Sequence, residues 1–150
     1  MSKISKDLDR KVRETSKNRC GYCLTPQSLT SYKLEIEHIF PSAKGGNSKK
    51  ENLCLACRQC NLHKSSKIYG FDAVSAKRVR LFNPNLQIWS EHFVWNEEKT
   101  SIIGKTPCGR ATIYALKMND DLQTNARRVW KLTGLFPPVA LMPEVPFQIL

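Results

Sequence analysis

The sequence predicts an α+β fold built around two cysteine pairs, and three observations carry that reading. Leu34–Glu35–Ile36–Glu37–His38–Ile39–Phe40 alternates with the period of a strand, and Pro41 ends it. From Asn52 to Tyr69 there is neither proline nor glycine, which suits a helix. Cys20-x-x-Cys23 precedes the strand and Cys57-x-x-Cys60 falls in that predicted helix, so strand, loop and helix would be closed by paired thiols.

The remaining elements follow in chain order. Residues 4–17 place Ile4, Leu8 and Val12 at i, i+4 and i+8 among basic residues, the pattern of a short helix with one apolar stripe. Gly45–Gly46–Asn47 marks a loop, either because a tight turn needs it or because another backbone approaches closely. After a turn at Asn83–Pro84–Asn85, the segments His92–Trp95 and Ser101–Ile103 form a predicted hairpin through Asn96–Lys99. Thr106–Pro107 is an N-cap followed by proline at the first helical position, opening a helix to about Met118, where Asn119 stops it. A second helix runs from Asp121 to Thr133 and ends at Gly134. Four prolines interrupt the apolar stretch after Phe136, which either straps across the molecule or docks on a protein partner. The expected organisation is one domain over 1–150: an N-terminal helix (1–17), a core (18–68), a hairpin and helical extension (69–136) and a proline-rich tail (137–150).

At 150 residues, with 41% hydrophobic and 25% charged residues, the chain excludes disordered and low-complexity classes. No apolar run approaches the roughly 20 residues of a membrane span, and Met1–Lys6 leads into no apolar leader core. A soluble, cytoplasmic protein with no membrane partner is expected. The formal charge of +11 is one-sided: residues 1–80 hold 17 basic and 7 acidic residues, the rest 7 and 6. A field of that sign attracts a polyanion, and nucleic acid is the common one.

Six cysteines in a chain without a leader are read as metal ligands before disulfides. Four thiolates from Cys20, Cys23, Cys57 and Cys60 would close a tetrahedral site, which suits Zn2+ and leaves no open coordination position, so the ion would be structural. Cys54 also stands three residues before Cys57, which leaves open a Cys-x-x-Cys-x-x-Cys run, a redox dithiol or unligated thiols. An iron–sulfur cluster would need a further cysteine that Asn61–Lys64 do not supply. Cys54 and Cys108 are most simply packed as small apolar side chains.

Taken together, Cys20-x-x-Cys23, Glu37–His38–Ile39–Phe40–Pro41, Gly45–Gly46, Asn52–Leu53 and Cys57-x-x-Cys60–Asn61-x-x-Lys64 resemble the HNH endonuclease family. The resemblance implies a ββα-metal nuclease core over about residues 18–68, supported by the four-cysteine zinc site. It also implies hydrolysis of DNA phosphodiester bonds with a catalytic Mg2+ or Mn2+. More loosely, Leu81–Pro84, Trp89–Trp95 and Thr106–Ala111 look like the extension of one group of bacterial HNH proteins.

Under that resemblance His38 is the general base, an imidazole able to take a proton from water at neutral pH. Glu37 is a metal ligand, its carboxylate being a hard oxygen donor. Side chains adjacent on a strand point to opposite faces, so Glu37 and His38 would have to flank the scissile phosphate. Asn61 takes the final motif position as second ligand, with His63 as the alternative; two positions apart on a helix, they cannot readily serve one ion. Asn52 would pin the loop that aims His38, or cap the following helix. Lys44, Lys49, Lys50, Arg58, Lys64 and Lys67 would supply phosphate contacts that position DNA without reading its sequence. The expected activity is metal-dependent endonuclease. The alternative is a zinc-stabilised module that binds nucleic acid without cutting it.

Overall fold

Ser5 accepts a hydrogen bond from Leu8 N and caps the first helix, α1 (Lys6–Thr15), whose Val12 is buried while Asp7, Arg10, Lys11 and Glu14 pair along its outer side. The structure, a computed structural model, describes residues 4–138. The expected protein partner site in the tail therefore falls on residues that are, from 139 onward, outside the described range.

The alternating segment forms β1 (Glu35–His38). The proline- and glycine-free stretch is not helical throughout: Leu53–Ala56 is a second strand, β2, and the helix, α2, is only Arg58–Lys64. β1 and β2 pair antiparallel with Glu37 opposite Cys54 and His38 opposite Leu53. Four consecutive buried residues explain the difference, because Leu53–Ala56 has packing on both faces and needs no helical stripe. Strand, loop, strand and helix now make up the ββα core, and α1 packs against β2.

Beyond the core lies a hairpin the sequence reading missed, β3 (Tyr69–Asp72) with β4 (Lys77–Arg80). Its turn is held by Asp72, which accepts from the backbone of Val74 and Ser75, and Ala76 rather than a glycine takes the positive φ. A one-turn helix, α3 (Trp89–His92), leads into β5 (Phe93–Trp95), which pairs with β6 (Ile102–Gly104). Thr106 caps α4 (Pro107–Leu116) and Asp120 caps α5 (Asp121–Trp130), after which Lys131–Thr133 tighten to a 3-10 turn.

The extension closes on the first cysteine pair and on β2. Trp89 Nε1 donates to Tyr22 O at 2.8 Å, and Asn85 Nδ2 donates to the carbonyls of Glu51 and Leu53, both at 3.0 Å. One buried apolar cluster runs from Val12 through Tyr22, Leu53 and Leu55 to Phe82, Phe93, Ile102 and Met118. Among the described residues no helix is long and apolar enough to cross a membrane.

Candidate active site and metal centre

Two tight chain reversals set the candidate metal centre. Cys20 and Cys23 flank one, where Cys20 N donates to Thr25 O. Cys57 caps α2, its sulfur accepting from Cys60 N at 3.4 Å. The Sγ atoms of Cys20, Cys23, Cys57 and Cys60 all lie within 4.8 Å of one another, all four residues are buried, and Cys23 Sγ is 3.6 Å from Cys57 Sγ. Bonds of about 2.3 Å to a central Zn2+ put tetrahedral sulfurs about 3.8 Å apart, so the cluster has the right size.

Its protonation chemistry points the same way. Hydrogen bonds from Cys20, Cys57 and Cys60 hold the Cys23 thiol well below its ordinary range, helped by the buried Arg127 guanidinium. Cys57 and Cys60 are pushed up, first by Cys20 and then by Cys23, because a second and third thiolate would sit beside an existing charge. A dication removes that conflict and admits four thiolates. Cys54 is not part of the cluster; its sulfur faces Tyr22 and Glu37, and burial pushes its thiol up.

His38 lies at the end of β1, half-buried, with Nε2 3.0 Å from Ser48 Oγ. Burial, and then the charge of Lys64, lower its pKa from 6.5. The loop carrying Ser48 is fastened by Asn52: Oδ1 accepts from Phe40 N at 2.8 Å, and Nδ2 donates to Phe40 O at 2.9 Å and Asn47 O at 2.8 Å. Gly46 packs so closely under Phe40 that a Cβ there would collide with its carbonyl oxygen, and Gly45 takes a φ of +93°. The Gly45–Gly46 pair therefore serves the turn itself.

Glu37 points the other way. Its carboxylate is 4% exposed, with Oε1 accepting from Lys64 Nζ at 3.0 Å and Oε2 from the Tyr22 hydroxyl at 3.0 Å. Burial raises its pKa, and Lys64 and Tyr22 oppose that rise. Asn61 Nδ2 donates to Glu35 Oε1 at 2.7 Å. As placed, both Glu37 oxygens are taken, by Lys64 and by Tyr22, and Glu37 has no free oxygen for an ion. With Glu37 so engaged, the predicted donor set does not fit a catalytic Mg2+ or Mn2+. His63 is half-buried on α2, where its carbonyl accepts from Lys67 Nζ at 2.7 Å.

The expected phosphate contacts divide. Lys44, Lys49, Lys50 and Lys67 are exposed. Arg58 is exposed as well, lying 4.5 Å from the Tyr32 ring centroid and 3.8 Å from Glu35. Lys64 is not available as the expected phosphate contact: only 1% of it is exposed, and its ammonium is used on Glu37 and on the carbonyls of His38 (3.3 Å) and Ile39 (3.0 Å). It cannot leave these oxygens for a phosphate without exposing a buried carboxylate.

Sequence reasoning missed Tyr22, Ser48 and Arg127. Tyr22 lies within the first cysteine pair but nothing in its neighbours announces a carboxylate partner 15 residues away. Ser48 sits in a polar loop whose composition does not single it out. Arg127 reads as one basic residue of an amphipathic helix, yet it is fully buried, donating to the carbonyls of Thr100 and Met118.

Residues 20–67 match the family model described as HNH endonuclease. Searches of curated proteins and of solved structures find no match.

Proposed function

We propose that this protein, whose residues 20–67 match the HNH endonuclease model, is an endonuclease that hydrolyses phosphodiester bonds in DNA, with His38 as its general base. The observation that carries this reading is the half-buried imidazole of His38, aimed by Ser48 from a loop that Asn52 ties at three points. When the proton sits on Nε2 and is donated to Ser48, Nδ1 keeps its lone pair for a water molecule beside the phosphate. A pKa below 6.5 keeps that lone pair available at neutral pH. Lys44, Lys49 and Lys50, in and just after the same loop, supply positive charge near that end of β1 and would hold the sugar-phosphate backbone. The zinc site supports the reading by fixing the first cysteine pair to the start of α2, since so small a core buries little to hold a catalytic group in place.

One observation favours the second reading, a module that binds nucleic acid without cutting it. The strand carboxylate that would complete a hydrolytic site, Glu37, is sealed in a buried ion pair. Incubating supercoiled plasmid with the zinc-loaded protein, with and without added Mg2+ or Mn2+, separates the two. Nicking or linearisation that falls about 10²–10⁴-fold in folded His38→Ala supports the nuclease reading. Plasmid retardation without cleavage under every ion supports the module.

A further inference from the structure

The hairpin β3–β4 has two unlike faces. Inward, Gly70 lies against α4 so closely that a Cβ would stand 2.7 Å from Ala111 O, and Asp72 is clamped by Arg110 through contacts of 2.8 and 3.1 Å. Outward, the cross-strand pairs are Tyr69 with Arg80 and Phe71 with Arg78. Residues directly opposite share a face, so two aromatic rings and two guanidinium groups form one continuous surface. Tyr69 is 41% and Phe71 50% exposed, and both arginines are exposed. Arg78 lies over the Tyr69 ring, 4.2 Å from its centroid. Beside Phe71, across a groove rimmed by Lys67 and Lys117, stands Tyr114, 70% exposed; Asp120 is the carboxylate at that rim. Among the described residues no carboxylate pairs with Arg78 or Arg80.

We propose that this outer face, with Tyr114 beside it, is a stacking platform for single-stranded nucleic acid. Open rings flanked by arginines suit bases that offer π-faces on an anionic backbone. Charge disfavours the other simple occupant: a second copy would bring the same arginines against these, in a chain whose net charge is already +11. Lys67 and Arg80 line a neighbouring cleft, and Lys67 borders the Tyr114 groove too, so positive charge continues beyond the platform. The platform does not rest on the nuclease reading.

The test measures fluorescence anisotropy of labelled oligothymidylate and oligouridylate of about ten nucleotides, and of a duplex of equal length, with the full zinc-loaded chain and no added Mg2+. The expected result is that Phe71→Ala weakens single-strand binding about tenfold or more while the salt slope stays unchanged, because a ring is lost and no charge. Arg78→Ala with Arg80→Ala instead flattens the slope. The DNA and RNA arms identify which backbone the platform takes. If Phe71→Ala is not folded by circular dichroism, Tyr114→Ala, at the more exposed ring, replaces it. Single-strand binding equal to wild type in the folded aromatic variant overturns the proposal, and so does an equal loss for duplex. A plasmid that wild type cuts while Phe71→Ala binds single strands normally refutes the platform alone. A protein that never cuts but loses single-strand binding in Phe71→Ala refutes the nuclease alone.

Discussion

Lys64 Nζ meets Glu37 Oε1 at 3.0 Å with both side chains buried, and the same ammonium reaches the carbonyls of His38 and Ile39. The pair joins α2 to the end of β1 beneath the imidazole. Removing one partner leaves a buried charge, so Lys64→Met should cost about 3–5 kcal/mol in denaturant unfolding. Glu37→Gln in the same chain should restore most of that loss, since a neutral amide can still accept from Tyr22. A single variant as stable as wild type would show the pair to be dispensable.

Lys64 also acts on His38. The imidazole pKa lies below 6.5 through burial and the nearby Lys64 charge, so the neutral, proton-accepting form should persist below pH 6.5. On folding, this lowered pKa contributes stability that is complete above 6.5 and is lost as pH falls through the folded value. In the Glu37→Gln, Lys64→Met chain, the His38 pKa should move up. Titrating the His38 ring resonance by NMR in both proteins reads the shift directly, and the acid limb of any cleavage profile should follow it.

Chelation or substitution tests the sulfur cluster. Stoichiometric zinc should be lost in Cys20→Ser or Cys57→Ser, together with cooperative unfolding of the core, because ligation free energy is folding free energy. Cys54→Ser should keep its zinc, since that sulfur faces Tyr22 and Glu37. Metal content by mass spectrometry after gel filtration distinguishes the two classes.

Asn52→Ala removes the three hydrogen bonds that tie the turn after β1 and should cost about 1–3 kcal/mol. Hydrogen exchange should quicken at Phe40 N, whose acceptor is lost. Cleavage, if Ser48 aims the base, should fall further than the stability loss accounts for. Equal exchange in both proteins would show the loop held by other contacts.

Asp72 and Arg110 link β3 to α4, and the guanidinium holds the carboxyl well below its usual 3.8. The stabilisation is complete above pH 3.8 and disappears as pH falls through the lower folded value. Asp72→Asn should therefore unfold more easily than wild type at neutral pH, with the gap narrowing in strong acid. Thermal melts from pH 7 downward measure it.

How much was legible in the sequence depended on the range of the interaction. The α1 stripe, the Phe93–Gly104 hairpin, the Thr106 cap and both cysteine pairs rest on residues a few positions apart, where spacing alone sets geometry. The β3–β4 hairpin went unseen because its turn uses Asp72 and a positive-φ Ala76 in place of an Asn-Gly or Asp-Gly step; the acidic turn residue between Tyr-Gly-Phe and Lys-Arg-Val-Arg was the available signal. The resemblance implied a second strand, but the residue pattern did not place β2, because a strand buried on both faces shows no alternation.

By itself the sequence determined which side chains exist at motif spacing and that Glu37 and His38, adjacent on a strand, must face apart. Only the tertiary structure decided which of the two faces solvent. That choice depends on Tyr22, 15 residues before Glu37, and Lys64, 27 residues after it, closing over the carboxylate once the cysteine pairs and β2 bring them together. A charge leaves water only where oppositely charged and hydrogen-bonding groups meet it, and such meetings are made by the fold.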